Sequence, residues 1–157
     1  FVNKRNNYGE LIADVCVVSQ RKFKPINCPI ELNSNAIDEF LIIFLIASKA
    51  SGISYFKKLG ELNKKESPRL KLASMILNKM GVKTETSKDS IKIFGNPNLK
   101  VNKKILINNF YKDHRIFMTS VIAALCFGGE WTIEDGESHM SSFPSFLRIL
   151  RKMGYKF

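Results

Sequence analysis

The chain has 157 residues, 45% of them hydrophobic, which is long and apolar enough for one compact domain with a buried core. Its longest apolar run, residues 40–47, is too short to cross a bilayer, and its three cysteines lie too far apart for a zinc site or a disulfide framework. The net charge of +11 predicts a positive field that favours anionic ligands, but the lysines are scattered in short clusters instead of massed on one nucleic-acid-binding element.

Strand-like and helix-like segments alternate through the first part of the chain. The opening residues carry neither Met nor a secretory signal, so we expect them to lie inside a longer gene product, and reduced thiols favour a cytoplasmic protein. The β-branched residues of 12–18 predict a strand. Residues 36–49 predict a helix that is apolar nearly all round and therefore buried. Gly52 ends this helix, and a strand is expected over 53–56.

The same alternation continues to the end of the chain. Helix, glycine and strand recur in this order, which indicates an α/β or α+β domain with helices packed on sheets. Pro144 suits the first position of a last helix, and Gly154 suits its end. The other predicted elements are a helix over 68–79, a hairpin with arms 83–86 and 90–94, a strand over 105–107, a helix over 113–127 and a strand over 131–133.

Charged residues stand at the starts of these helices. Arg69 lies four residues before Ala73 and extends the apolar stripe of its helix, where it also opposes the helix dipole. A cation that breaks two local rules at once is a candidate for a functional site. The alternative is that Arg69 reaches solvent or pairs with Glu66.

The helix over 113–127 shows the same arrangement. Asp113, His114 and Arg115 are the charged residues ahead of a long apolar run, and amides at a helix N-terminus next to an arginine favour a phosphate or a carboxylate. Asp38 precedes the first apolar helix, although a carboxylate there could simply favour the dipole. Together with Lys65 and Glu66, these residues predict an anionic-ligand site. Three unrelated capping and surface arrangements remain the alternative.

Five segments of the chain, in order, resemble one family, the enolpyruvylshikimate-phosphate synthases. Residues 61–70 (ELNKKESPRL) resemble its E-L-R-V-K-E-S-D-R-L, and residues 113–118 (DHRIFM) resemble its D-H-R-I-A-M. The related enzyme that acts on UDP-N-acetylglucosamine lacks the first of these and the S-F-P segment. The remaining matches are 9–14 (GELIAD) to G-E-P-I-A-D, 37–39 to I-D-E, and 141–146 (SSFPSF) to T-S-F-P-x-F.

The resemblance implies repeated βαβαββ units and a fragment: residues 1–157 would be an incomplete C-terminal domain of a two-domain enolpyruvyl transferase whose N-terminal domain is absent. The family transfers the carboxyvinyl group of phosphoenolpyruvate to the 5-hydroxyl of shikimate 3-phosphate, in aromatic amino acid biosynthesis, without a cofactor or a metal. By carry-over, Asp38, Glu66 and His114 would be catalytic. Asp38 and Lys65 would bind shikimate 3-phosphate, and Arg69 and Arg115 would bind phosphoenolpyruvate.

The chain also departs from the family pattern. Pro68 replaces an acidic residue next to Arg69, and Asn63 replaces a basic one. We expect the fragment alone to be inactive, with the missing N-terminal half, phosphoenolpyruvate and shikimate 3-phosphate as its partners, and neither nucleic acid nor membrane among them. A non-catalytic truncated remnant is the alternative function, and a basic nucleic-acid-binding module is a distant third.

Overall fold

A computed structural model describes residues 1–18 and 22–156. Its helices and strands follow the alternation predicted from the sequence, and several boundaries agree within two residues. In this part of the chain, no helix is both long and apolar enough to span a membrane. The strands are β1 (Val2–Asn7), β2 (Glu10–Asp14), β3 (Ile53–Phe56), β4 (Thr84–Thr86), β5 (Ile91–Phe94), β6 (Lys104–Ile107) and β7 (Glu130–Ile133), and the helices are α1 (Phe40–Ser48), α2 (Arg69–Lys79), α3 (His114–Phe127) and α4 (Phe146–Lys152).

The first two strands form an antiparallel hairpin that the sequence did not predict. Asn7 pairs with Glu10, and the turn residues Tyr8 and Gly9 both have positive φ, at 51° and 88°. Two positive φ values define a type I′ turn, whose twist matches that of the strands it joins. The strand predicted over 12–18 is therefore wrong in its second half, because β2 ends at Asp14 and residues 15–18 are exposed coil.

Three strands and two helices follow as a structural unit. Strand β5 lies between β3 and β4 and is antiparallel to both. The segment before α1 makes two isolated parallel bridges, from Asn27 to Tyr55 of β3 and from Phe23 to Ala50, which precedes β3. The unit therefore reads strand, α1, β3, α2, β4, β5, which is the βαβαββ order that the family resemblance implies.

A second unit repeats the first four elements of this order. Strands β6 and β7 are parallel and are joined through α3, as expected for a crossover connection. Helix α4 follows, but it begins at Phe146, so the prediction of a start at Pro144 is two residues too early.

The buried core lies between the helices and the two sheets. Phe40 and Phe44 of α1 pack with Phe56 of β3, with the ring centroids of Phe44 and Phe56 5.0 Å apart in an edge-to-face arrangement. Helix α1 is shorter than predicted, since residues 36–39 are turns that precede it. Its burial is also incomplete, because Ile42 and Ile46 are 36% and 49% exposed.

Candidate active site

The first residue of α2 is a buried arginine. Only 2% of Arg69 is exposed, which confirms that it lies on the inward face of the helix and excludes the alternative in which it reaches solvent. Pro68, the residue before it, fits the helix start because the first helical amides have no intrahelical partner. The sequence departure at Pro68 therefore leaves Arg69 directed into the protein.

Three carboxylates surround the guanidinium of Arg69. Its Nε donates to Oδ2 of Asp113 at 2.9 Å, its Nη1 donates to Oδ1 of Asp38 at 2.9 Å, and its Nη2 donates to Oε2 of Glu66. Burial alone disfavours the charged guanidinium, but hydrogen bonding and attraction to Asp113, with attraction to Glu66 and Asp38, outweigh it and raise the pKa of Arg69. The arginine is therefore a fixed cation, and its pairing with Glu66 is one of three.

Asp113 supports two structural elements at once. Its Oδ1 accepts the backbone N–H groups of Arg115 at 2.9 Å and Ile116 at 3.4 Å, so it is the N-cap of α3. Its Oδ2 accepts Arg69 Nε and, at 2.7 Å, the hydroxyl of Ser67. Burial raises the pKa of a carboxyl group, but these donors and the charge of Arg69 outweigh burial and hold the pKa of Asp113 below its ordinary value. Asp113 is therefore ionised and holds one edge of Arg69.

Asp38 joins cations from two further elements. Its backbone carbonyl accepts Arg115 Nη1 at 2.9 Å, and its Oδ2 lies 3.5 Å from Arg115 Nη2. Lys65 Nζ lies 4.0 Å from Asp38 Oδ1 and 3.7 Å from Glu61 Oε1. Asp38 precedes α1 and does not lie in its first turn, so its side chain is free to reach these partners.

The structure thus brings together five of the six predicted site residues. They come from the segment before α1, the segment before α2, the first turn of α2 and the first turn of α3. The sixth, His114, is the half-buried first residue of α3, next to Arg115. Within residues 1–18 and 22–156, its side chain makes no hydrogen bond or ion pair to the cluster. The five residues that are linked by ion pairs through Asp38 and Arg69 are Asp38, Lys65, Glu66, Arg69 and Arg115.

The arrangement can handle both protons and anions. Asp38 and Glu66 are 41% and 57% exposed in their side chains and face solvent, whereas Asp113 is fully enclosed. Arg115 is 31% exposed and Lys65 is 26% exposed in their side chains, and both contact Asp38, so both can meet a ligand that approaches Asp38. Among the described residues, no group of His, Cys, Asp and Glu is arranged to hold a metal ion.

Sequence reasoning missed the parts that Asp113 and Ser67 play in the cluster. Asp113 was recognised as a charged residue at a helix start, but its contact with Arg69 spans 44 residues of sequence. Ser67, 3% exposed, stands in the segment that resembles the family, where no physical signal marked its hydroxyl. An Asp directly before an apolar helix does predict a cap, and this was the signal available.

In sequence, the chain is similar to the enzymes of one family. The family model described as EPSP synthase (3-phosphoshikimate 1-carboxyvinyltransferase) matches residues 12–150. The 3-phosphoshikimate 1-carboxyvinyltransferase of Ruthia magnifica is 37% identical over 152 residues, which cover 97% of this chain and 34% of that protein. The enzyme of the same name from Zymomonas mobilis is 34% identical over 159 residues, covering 100% of this chain and 35% of that protein.

Solved structures give the same picture. The EPSP synthase of Acinetobacter baumannii superimposes with a TM-score of 0.81 and 28% identity, over 96% of this chain and 35% of that chain. The enolpyruvyl transferase NikO of Streptomyces tendae shares the fold with a TM-score of 0.58 at 17% identity, over 76% of this chain and 25% of that chain. The chain therefore spans about a third of the length of the curated relatives it matches.

Proposed function

Because the chain belongs to the EPSP synthase (3-phosphoshikimate 1-carboxyvinyltransferase) family, we propose that it supplies one wall of an active site that transfers the carboxyvinyl group of phosphoenolpyruvate to shikimate 3-phosphate. The acceptor is the 5-hydroxyl of the shikimate ring, and inorganic phosphate is released. The reaction is a step of aromatic amino acid biosynthesis. We further propose that residues 1–157 are part of the C-terminal domain of a two-domain enzyme.

One observation carries this proposal. Asp38 contacts Lys65, Arg69 and Arg115, which come from three other places in the sequence, and Asp38, Lys65 and Arg115 are partly exposed whereas Arg69 is buried beneath them. Unrelated capping arrangements would leave these groups at separate helix ends. A cluster of cations and accessible carboxylates suits a substrate pair that carries two phosphates and two carboxylates, and a reaction that moves protons.

The proposed roles follow from chemistry and exposure. Addition across the vinyl group needs a base for the 5-hydroxyl and an acid for the methylene, and elimination reverses these roles. Asp38 is proposed as the proton acceptor, with Lys65 near the same substrate. Glu66 is proposed to protonate the methylene, and His114 to assist proton transfer at the start of α3.

The arginines are proposed to bind phosphoenolpyruvate. Carboxylates of the chain pair with both arginines: Asp38 with Arg69 and Arg115, and Glu66 with Arg69. A carboxylate or phosphate of the substrate matches the same forked donors, so it has to displace these internal partners. The isolated chain should therefore bind phosphoenolpyruvate weakly, and calorimetry that gives a micromolar Kd would contradict this expectation.

The decisive experiment is a chimaera. Residues 1–157 replace the matching third of the Acinetobacter baumannii EPSP synthase, and phosphate release from phosphoenolpyruvate is measured with and without shikimate 3-phosphate. We expect release only with both substrates, and no release from the 157 residues alone. Asp38→Asn in the chimaera should lower kcat by about 100-fold or more, the usual scale of a general base. Glu85→Gln changes an exposed carboxylate of β4 that pairs with Lys92 and contacts no residue of the cluster; it is the matched control and should leave kcat unchanged.

A folded but inactive chimaera, with the unmodified Acinetobacter enzyme active in the same assay, would sink the proposal. The second candidate, a non-catalytic remnant, would then stand. The observation that favours a remnant is that Nε, Nη1 and Nη2 of Arg69 each already donate a hydrogen bond to a carboxylate of the chain.

A further inference from the structure

Two side chains that lie two positions apart in sequence donate to the same carboxylate oxygen. Oδ2 of Asp113 accepts the Ser67 hydroxyl at 2.7 Å and Arg69 Nε at 2.9 Å. All three residues are at most 3% exposed, so bulk water does not compete for these hydrogen bonds. The segment that leads into α2 therefore meets the start of α3 at a buried atom, and this contact depends on how Ser67 and Arg69 are placed relative to each other.

Pro68 holds these two residues in a tight turn. The amide of Arg69 donates to the carbonyl of Ser67 at 2.8 Å, and the φ and ψ of Pro68 are −72° and 72°. A hydrogen bond that closes three residues around such angles defines an inverse γ-turn, and the proline ring fixes the φ that this turn requires. Pro68, which departs from the family pattern, is therefore a rigid spacer that presents both donors to Asp113.

The three carboxylates on Arg69 differ in how easily a ligand can replace them. Asp113 is fully enclosed, whereas the side chains of Asp38 and Glu66 are 41% and 57% exposed. Arg69 Nε donates to the enclosed carboxylate, and Nη1 and Nη2 donate to the exposed ones. An anion that arrives from solvent can therefore replace Asp38 and Glu66 but not Asp113. The orientation of the guanidinium decides that its Nη1–Nη2 edge is the one offered to a ligand.

We propose that Ser67 and Pro68 are positioning residues for the binding of phosphoenolpyruvate. The Ser67 hydroxyl and the turn at Pro68 hold Asp113 against Nε of Arg69, and this turns Nη1 and Nη2 towards the substrate. An anionic group of phosphoenolpyruvate accepts from both Nη atoms and takes the places of the two exposed carboxylates. This inference rests on the proposed role of Arg69 in carboxyvinyl transfer, but the hold on Nε can be measured without any substrate.

The first test measures the hold on Nε in the 157-residue chain itself. The Nε–H signal of Arg69 is the one that Arg69→Lys removes from a proton–nitrogen correlation spectrum, and it should exchange slowly with solvent. Ser67→Ala should speed this exchange at least about 10-fold, since the carboxylate that holds Nε loses a charge-assisted hydrogen bond. Pro68→Ala keeps Ser67 and all three carboxylates but frees φ, so it should speed the exchange by a smaller factor.

Ser48→Ala is the matched control for this test. Ser48 is also fully buried, and its hydroxyl donates to the carbonyl of Leu45 at 2.6 Å, at the opposite end of α1 from Asp38. The control therefore loses a buried serine hydrogen bond without touching the cluster, and it should leave the Nε–H exchange unchanged. Wild-type exchange in Ser67→Ala overturns the proposal, and so does an equal effect of Ser48→Ala. Wild-type exchange in Pro68→Ala overturns the part assigned to the turn.

The second test uses the chimaera with the Acinetobacter baumannii enzyme. Ser67→Ala should raise KM for phosphoenolpyruvate at least about 10-fold and change kcat by less than about 3-fold, because the lost interaction serves substrate and transition state alike. Ser48→Ala should change neither. An active Ser67→Ala chimaera with the KM of its parent overturns this inference and leaves the proposed function in place. An inactive parent chimaera instead refutes the proposed function, and the Nε–H exchange then decides whether Ser67 holds Arg69.

Discussion

Asp113 is the carboxylate on which the charged cluster depends, and Asp113→Asn tests this most sharply. Asparagine is as good an N-cap as aspartate, so the amide oxygen can still accept the N–H groups of Arg115 and Ile116. The amide nitrogen, however, replaces the oxygen that accepts Arg69 Nε and the Ser67 hydroxyl. The variant therefore removes the buried charge and the hydrogen bonds that Arg69 and Ser67 donate to it, while it preserves the helix cap.

The expected loss of stability follows from the contacts that remain. Removing one partner of a buried ion pair costs about 3–5 kcal/mol when the other charge is left alone. Arg69 keeps Asp38 and Glu66, so we expect the cost of the lost charge-assisted hydrogen bonds, about 2–3 kcal/mol. Asp113→Ala should cost about 1 kcal/mol more, because it also removes the cap.

The assay is urea unfolding of the 157-residue chain at pH 7, followed by circular dichroism, with the free energy of unfolding taken from midpoint and slope. Asp89→Asn, an exposed carboxylate in the turn between β4 and β5, serves as the control and should change the free energy of unfolding by less than about 0.5 kcal/mol. If Asp113→Asn destabilises the chain no more than Asp89→Asn does, Asp113 does not anchor Arg69 as argued.

Four further outcomes are expected from the same unfolding assay. The pKa of Asp113 is lowered in the folded state, so its contribution to the free energy of unfolding is complete above the ordinary aspartate pKa of about 3.9 and is lost as pH falls through the lowered value. The free energies of unfolding of the wild type and of Asp113→Asn should therefore converge in acid. A difference between them that stays constant from pH 7 to about pH 2 would argue against this. Arg69→Lys should lower the free energy of unfolding by about 2 kcal/mol, since an ammonium group cannot donate to three carboxylates in the planar geometry of a guanidinium. An unchanged urea midpoint would refute this prediction. His139→Leu should raise the free energy of unfolding by about 1 kcal/mol. The buried Nδ1 of His139 has no hydrogen-bond partner among the described residues, and the stacking of its ring on Phe117 offsets only part of that cost. Gly95→Ala should lower the free energy of unfolding by about 1–3 kcal/mol, since the new Cβ would lie 2.3 Å from the carbonyl oxygen of Ala50, whereas Gly136→Ala, with nothing within 4 Å, should be neutral.

Local patterns in the sequence were enough to locate most of the regular structure. The structure begins α2 and α3 one residue after the predicted starts and ends them at the predicted residues. An apolar stripe at helical spacing, a capping Asp and a closing Gly are local signals, so they survive without tertiary information. The hairpin of β1 and β2 was missed because its first strand is polar and its Tyr-Gly turn is not a strong hairpin signal.

Two predicted helix starts differ from those of the structure. Residues 36–39 look helical but form turns, which frees Asp38 to reach towards α2 and α3. The last helix begins after Pro144, although proline is well suited to a first helical position. At Asp38 a local preference gave way to contacts with Arg69 and Arg115, whereas at 144–145 the chain forms a turn in which Phe146 N donates to the carbonyl of Phe143.

What the sequence determined by itself was the alternation of helices and strands and, through five short segments, the resemblance to a family; for Arg69 it left an inward and a solvent-facing direction open. What only the tertiary structure decided was the meeting of Asp38, Arg69 and Asp113, which lie 31 and 44 residues apart in sequence. Periodicity reports which way a side chain faces on its own helix, but it carries no information about which helix ends lie opposite one another. That depends on how the helices pack on the sheets, and here their packing encloses a guanidinium between three carboxylates.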